Sequence, residues 1–217
     1  MTAADAAPAP PRIGVFGGAF DPPHRAHRAV AEAALQQLAL DRLLIVPTGQ
    51  AWHKTRPLTA AEHRLAMCEL AFGDLPRVHI DARETRRSGP TYTVDTLREL
   101  HTEHPRAALY LVVGADQWLA LRTWHRWEDI LRLATVAVAN RPLAGGDAAL
   151  PDLSAVGLPF VPLRLPPIDL SATALRARWQ AGDAGNVAAA LVLPAVARYI
   201  SEHGLYRATG GATDSTA

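Results

Sequence analysis

A single cysteine, Cys68, excludes an intramolecular disulfide in this 217-residue chain and points to a reducing compartment, the cytoplasm. Its setting, Leu65-Ala66-Met67-Cys68-Glu69-Leu70-Ala71, reads as that of a packed small hydrophobe. An excess of either charge is missing too, because 22 Lys and Arg stand against 21 Asp and Glu. A balanced chain has no broad electrostatic reason to wrap nucleic acid or coat an anionic membrane, so any anion site must be local. No apolar run approaches the ~20 residues of a membrane span. The first eleven residues are Ala/Pro-rich but lack the basic start and apolar core of a secretory signal. Also absent are a Gly-x-Ser-x-Gly elbow, a His-Glu-x-x-His pair and a Gly-x-x-x-x-Gly-Lys-Ser/Thr loop. Hydrolase, zinc-peptidase and P-loop readings thereby lose their usual anchors.

What is present alternates strand and helix. Ile13, Val15 and Phe16 read as a buried strand, Gly17-Gly18 as a tight turn, and a helix begins near Pro23 and runs through Leu38. His24 and His27 then share one face of the helix's first turn, where unpaired N–H groups favour an anion. Further strands are expected at Leu43–Val46, Val78–Ile80, Leu109–Val113, Thr135–Ala139 and Phe160–Leu163. Helices are expected at Thr59–Ala71 with Leu65, Cys68 and Phe72 on one stripe, at Tyr92–His101, after Ser171, and between Pro194 and Gly204. Arg83–Pro90 and Arg141–Pro151 read as loops. The class is α/β, a single doubly wound and mainly parallel sheet. The length suits one domain over residues 12–207, with residues 1–11 and 208–217 expected to be disordered.

The polar residues cluster where strands end and helices start. Gly17, Gly18, His24, His27, Lys54, Ser171, Thr173 and Arg176 form a set of donors in which no member needs to be a nucleophile. Trp118, Trp124 and Trp127 crowd one stretch after Gly114-Ala115-Asp116. Trp118 and Trp127 read as core. Arg64 reads as a structural partner for a carboxylate.

Gly17-Gly18-Ala19-Phe20-Asp21-Pro22-Pro23-His24-Arg25-Ala26-His27 resembles the H-x-G-H phosphate motif of the nucleotidyltransferase superfamily. The form is that of bacterial nicotinate mononucleotide adenylyltransferases. Ser171-Ala172-Thr173-Ala174-Leu175-Arg176 is similar to the superfamily's second motif, I-S-S-T-x-I-R, and the segments around Lys54, Glu62–Met67, Gly89–Thr96 and Gly114–Asp116 follow in family order. The resemblance covers roughly Arg12 to Tyr206.

It implies a Rossmann-like nucleotidyltransferase fold and transfer of AMP from ATP to nicotinate mononucleotide, with Mg²⁺, in NAD biosynthesis. By the same resemblance His24, His27, Lys54 and Arg176 are the catalytic candidates. Gly17, Gly18, Phe20, Gly114, Asp116, Ser171 and Thr173 join the histidines and Arg176 on ATP, Gly114 and Asp116 at its ribose. Lys54, Thr93 and Trp124 face the pyridine nucleotide, and no protein metal ligand is assigned. Three positions depart from the pattern: Ala19 and Ala172 replace hydroxyl residues, and Ala26 replaces the glycine between the histidines. Alternative readings keep the fold with nicotinamide mononucleotide or phosphopantetheine as acceptor, or make the chain a non-catalytic nucleotide-binding regulator.

Overall fold

The computed structural model describes residues 8–50, 58–140, 151–166, 172–181 and 191–207. Lys54, Ser171, most of the loop expected at Arg141–Pro151, the first seven residues and the tail from residue 208 lie outside them.

Six strands form one sheet: β1 (Arg12–Gly18), β2 (Arg42–Pro47), β3 (Val78–Ile80), β4 (Ala108–Gly114), β5 (Ala134–Asn140) and β6 (Val161–Arg164). Their order is β3-β2-β1-β4-β5-β6, and every pairing is parallel. The α-helices among the described residues include α1 (Arg25–Gln37), α2 (Ala61–Phe72), α3 (Arg83–Arg86), α4 (Thr93–Glu103), α5 (Ala115–Leu119), α6 (Trp127–Leu133), α7 (Ala172–Gln180) and α8 (Pro194–Glu202). No described helix is long and apolar enough to cross a membrane. Pro11, assigned to the N-terminal extension from composition, already belongs to the fold, since its carbonyl accepts the Ala108 N–H at 2.8 Å.

Alternation along β1 explains the two layers. Ile13 and Val15 face one apolar cluster, with α4, α5 and α6 supplying Val94, Leu97, Leu100, Trp118 and Ile130. Phe16 faces the other, where α1, α2, α7 and α8 supply Ala34, Met67, Phe72, Leu175 and Ile200. Side chains at i and i+1 of a strand point to opposite faces, so a sheet covered on both sides needs runs that are apolar throughout, as in Leu43–Val46 and Leu109–Val113. Cys68 lies fully buried in the second cluster, and burial pushes its thiol pKa well up, which keeps it unreactive.

Two expectations need correction. On α2 the buried stripe runs through Arg64, Met67, Cys68, Ala71 and Phe72, with Leu65 only half-buried. The face is rotated because Arg64 is pulled inward: its guanidinium donates to the carbonyls of Thr59 at 2.8 Å and Ala19 at 3.0 Å. Its direct partners are therefore carbonyls; the Asp21 carboxylate attracts it electrostatically, against a pKa lowered mainly by burial. The polar stretch after Ile80 is not wholly a loop, since Arg83–Arg86 forms the single turn α3. Asp81 starts that turn, its carboxylate accepting the Arg83 N–H at 2.9 Å and the Arg83 side chain at 2.8 Å.

The strand order reverses between β1 and β4, whose crossovers leave to opposite sides. In such a sheet the crevice beyond the carboxyl ends at that reversal is where ligands bind. The pairing of Phe16 with Val112 brings Gly18 and Gly114 to the same level at the mouth of that crevice.

Candidate active site

A cavity of about 550 Å³ opens at this reversal point, inside the ~300–1,000 Å³ range of small-molecule sites. One end is built from the β1–α1 connection. Gly17 and Gly18 remain in the strand, and the residue that turns the chain in left-handed conformation is Phe20, at φ 45°. Gly18 is needed for space, because a Cβ there would meet the Phe20 ring at 3.1 Å. Phe20 is both a cavity wall and a core residue, 1% exposed, with its ring edge-on to Phe16, His27 and Phe72.

The two histidines, expected to act side by side, occupy different positions. His24 is the extended residue before α1, at φ −144° and ψ 173°. That geometry swings its ring out of line with the helix; it is 3% exposed, stacks on His27 at 3.7 Å between ring centroids, and does not line the cavity. His27 does line it. Its Nδ1 accepts the backbone N–H of His24 at 3.3 Å. A neutral imidazole with Nδ1 acting as acceptor carries its proton on Nε2, so the fold selects the tautomer whose donor is Nε2–H.

Arg176, just over one turn into α7, lines the same cavity. It donates to the Asp21 carbonyl at 2.7 Å and to the Thr173 hydroxyl at 3.1 Å. Gly114, where β4 passes into α5, and the exposed Asp116 form the wall opposite, while Thr93 at the start of α4 and the half-buried Trp124 flank the other end. Among the described residues no group of three His, Cys, Asp or Glu side chains is placed to hold a metal ion. The cavity therefore offers an anion donors from α1 and α7, an aromatic wall and short polar side chains.

A cytidylyltransferase-like family model matches residues 15–178. A protein of Albidiferax ferrireducens named "Probable nicotinate-nucleotide adenylyltransferase" is 52% identical over 197 residues, covering 90% of this chain and 98% of its own. The chain belongs to the nicotinate-nucleotide adenylyltransferase family. A Chromobacterium violaceum member with the same name is 44% identical over 215 residues, covering 90% of this chain and 99% of its own. The nicotinic acid mononucleotide adenylyltransferase of Plasmodium falciparum complexed with APC shares the fold, with a TM-score of 0.75 at 20% identity, over 90% of this chain and 97% of that one.

Of the residues that sequence reasoning nominated for this adenylyltransferase site, Gly17, Gly18, Phe20, His27, Thr93, Gly114, Asp116, Trp124, Thr173 and Arg176 all line the one cavity. His24 stands behind it, and Lys54 and Ser171 lie outside the described residues. Sequence reasoning missed the polar wall at the Trp124 end. There Glu84, 8% exposed, accepts the Thr96 hydroxyl at 2.7 Å, and Thr48 lies 3.4 Å from Thr91 between hydroxyl oxygens. It also missed His125, whose ring centroid is 4.4 Å from that of Tyr92, both lining the cavity. The run Gly89–Thr96 carried a signal for the threonines; nothing local marked Glu84 or His125.

Among the departures from the family pattern, Ala26 is 2% exposed and lines the cavity from the first turn of α1. Removing its methyl opens space in the cavity. Ala26→Gly is expected to leave KM for ATP unchanged or lower it, while costing up to about 1 kcal/mol of helix propensity. Steady-state kinetics beside thermal melting checks this, and a KM raised more than about threefold would show the methyl to be a useful contact.

Proposed function

We propose that the chain transfers AMP from ATP to nicotinate mononucleotide, giving deamido-NAD and pyrophosphate, as a cytoplasmic enzyme of NAD biosynthesis. The observation that carries this reading is the convergence of His27 and Arg176, from two helices distant in sequence, on one cavity at the reversal of a parallel sheet.

The acceptor's phosphomonoester has a second pKa of about 6 and is largely dianionic near neutrality. Its oxygen attacks the α-phosphorus of ATP, a new P–O bond forms, the bond from α-phosphorus to the bridging oxygen breaks, and pyrophosphate leaves. No protein base is needed. Phosphoryl-type transfer demands alignment and charge stabilisation, and this site is made of donors.

The Nε2–H of His27 stabilises charge on the phosphate chain, and His24 acts by holding that ring through its backbone N–H and by stacking. Arg176 and Thr173, with Ser171 just before them in sequence, hold the leaving pyrophosphate, and Lys54 adds its positive charge. Gly17 and Gly18 admit the nucleotide close to the backbone, Phe20 forms the floor, and Gly114 and Asp116 take the adenosine ribose. Thr93 and Trp124 take the pyridine ring, by backbone N–H and by stacking. Mg²⁺ favours phosphate oxygens and water over an all-protein cage, so it would enter with the nucleotide and would offset the charge of the phosphates.

Pyrophosphate release from purified protein with ATP and each acceptor in turn tests the reading. The expected result is a kcat/KM for nicotinate mononucleotide at least about tenfold above those for nicotinamide mononucleotide and phosphopantetheine. Preferred turnover of either of the others would replace the acceptor. ATP binding with no release under any condition would make the chain a sensor.

A further inference from the structure

A buried cluster adjoins the cavity at Arg176, with Asp21 itself among the lining residues. Asp21 is 1% exposed, in the β1–α1 connection. Its Oδ1 accepts the phenol of Tyr206 at 2.6 Å, and its Oδ2 faces the Thr59 N–H at 3.4 Å. Its own carbonyl receives Arg176 at 2.7 Å. Arg64, 3% exposed, donates to the Ala19 carbonyl two residues earlier at 3.0 Å and supplies positive charge to the buried carboxylate. A buried carboxylate is tolerated only when it is paired and hydrogen-bonded. Here the partners come from α2, the loop before it, and the segment after α8.

Two bulky residues sit in left-handed backbone conformation at the ends of this bond. Phe20, at φ 45°, immediately precedes Asp21, and Tyr206 itself has φ 61°. Such backbone persists in non-glycine residues only where the surroundings over-determine it. The Tyr206 ring also lies 6.1 Å from that of Trp179 on α7, one turn beyond Arg176. Burial and the adjacent Asp21 push the phenol pKa up, so it stays protonated and remains a donor.

We infer that Tyr206 is a positioning residue for adenylyl transfer, clamping Asp21 so that the backbone carbonyl of Asp21 fixes the Arg176 guanidinium against the ATP phosphates. The inference rests on the role given to Arg176 above. It makes the segment that follows α8 part of the ATP site, although that segment does not line the cavity.

Tyr206→Phe removes only the hydroxyl and keeps the ring against Trp179. It is expected to lower kcat/KM for ATP by about tenfold, to leave KM for nicotinate mononucleotide within about twofold, and to weaken ATP in acceptor-free titration by a similar factor. In an Arg176→Ala background the same substitution is expected to add less than about twofold, because a residue acting through Arg176 has nothing left to position. A loss below about threefold in the single variant, or losses that multiply in the double variant, overturn the inference. Failure of the wild type to release pyrophosphate with any acceptor would sink the proposed reaction instead, and the ATP titrations would still decide the role of Tyr206. Should Tyr206→Phe not fold, Asp21→Asn, which keeps the carbonyl and weakens the phenol's acceptor, is read by the same cycle with the same thresholds.

Discussion

Replacing His27 with alanine is expected to lower kcat by about 10²–10³, the scale of losing one donor that acts in the transition state. The geometry argues for an effect on rate more than on folding. His27 is half-buried on the cavity rim, and its contact with Phe20 is one of several that hold that ring. Its Nδ1 accepts the His24 N–H, so the proton of the neutral ring is on Nε2. His27→Asn, with one amide oxygen to accept from His24 and an NH₂ to donate, should recover part of the loss. Single-turnover pyrophosphate release at saturating ATP measures the effect. A loss of less than about tenfold for the alanine variant would remove His27 from the transition state. The same experiment on His24→Ala separates direct from supporting roles: a residue that acts by stacking and backbone placement should cost less than His27 does.

The second large effect is expected at Gly49, which no motif marks. A Cβ built there would lie 2.1 Å from the Glu84 carbonyl oxygen and 2.9 Å from the Thr91 methyl carbon. The first neighbour is backbone and cannot swing away as a side-chain tip can. Gly49→Ala must therefore push the segment after β2 away from α3 and from the strand-like contact of Gln50 with Pro90. Overpacking of this kind costs roughly 1–3 kcal/mol, a fall in Tm of about 3–10 °C for a domain of this size. The displaced elements carry Thr48, Glu84 and Thr91, all on the cavity wall. KM for the pyridine nucleotide should rise severalfold while that for ATP, bound at the other end, changes little. An unchanged Tm together with an unchanged KM would mean that the close approach carries no energy.

These two predictions differ in how far they could be read from the chain alone. His27 was legible because its meaning is local: a strand, two glycines and a helix start within fifteen residues, with histidines at a spacing the helix puts on one side. The doubly wound sheet was legible for a similar reason, since apolar runs of four or five residues alternating with amphipathic stretches leave few other arrangements. Gly49 and Glu84 carry no such pattern. Their relation exists only because β2 and α3 pack at a distance where a hydrogen fits and a methyl group does not.

The histidine pair shows the boundary most clearly. Spacing placed His24 and His27 together on the first helical turn, and the family resemblance assigned both to the ATP phosphates, with His27 the first choice for the transition-state charge. The extended backbone of His24 instead leaves only His27 lining the cavity, stacks the two rings and directs the His24 N–H to Nδ1 of His27. Periodicity likewise placed α2 correctly but not its inner face, because the burial of Arg64 depends on carbonyls of Ala19 and Thr59 that no helical pattern encodes.

By itself, then, the sequence of this protein determined its strand–helix alternation, the family to which its motifs belong, and the donor character of the residues that line the cavity from α1 and α7. Each of these is written in residues near one another, through period, spacing and turn chemistry. Only the tertiary structure decided which histidine lines the cavity, how closely position 49 approaches the Glu84 carbonyl, and that Asp21 is held by Tyr206 from 185 residues away. Contacts of that kind follow from packing distances between elements, and a chain read in one dimension contains no measure of them.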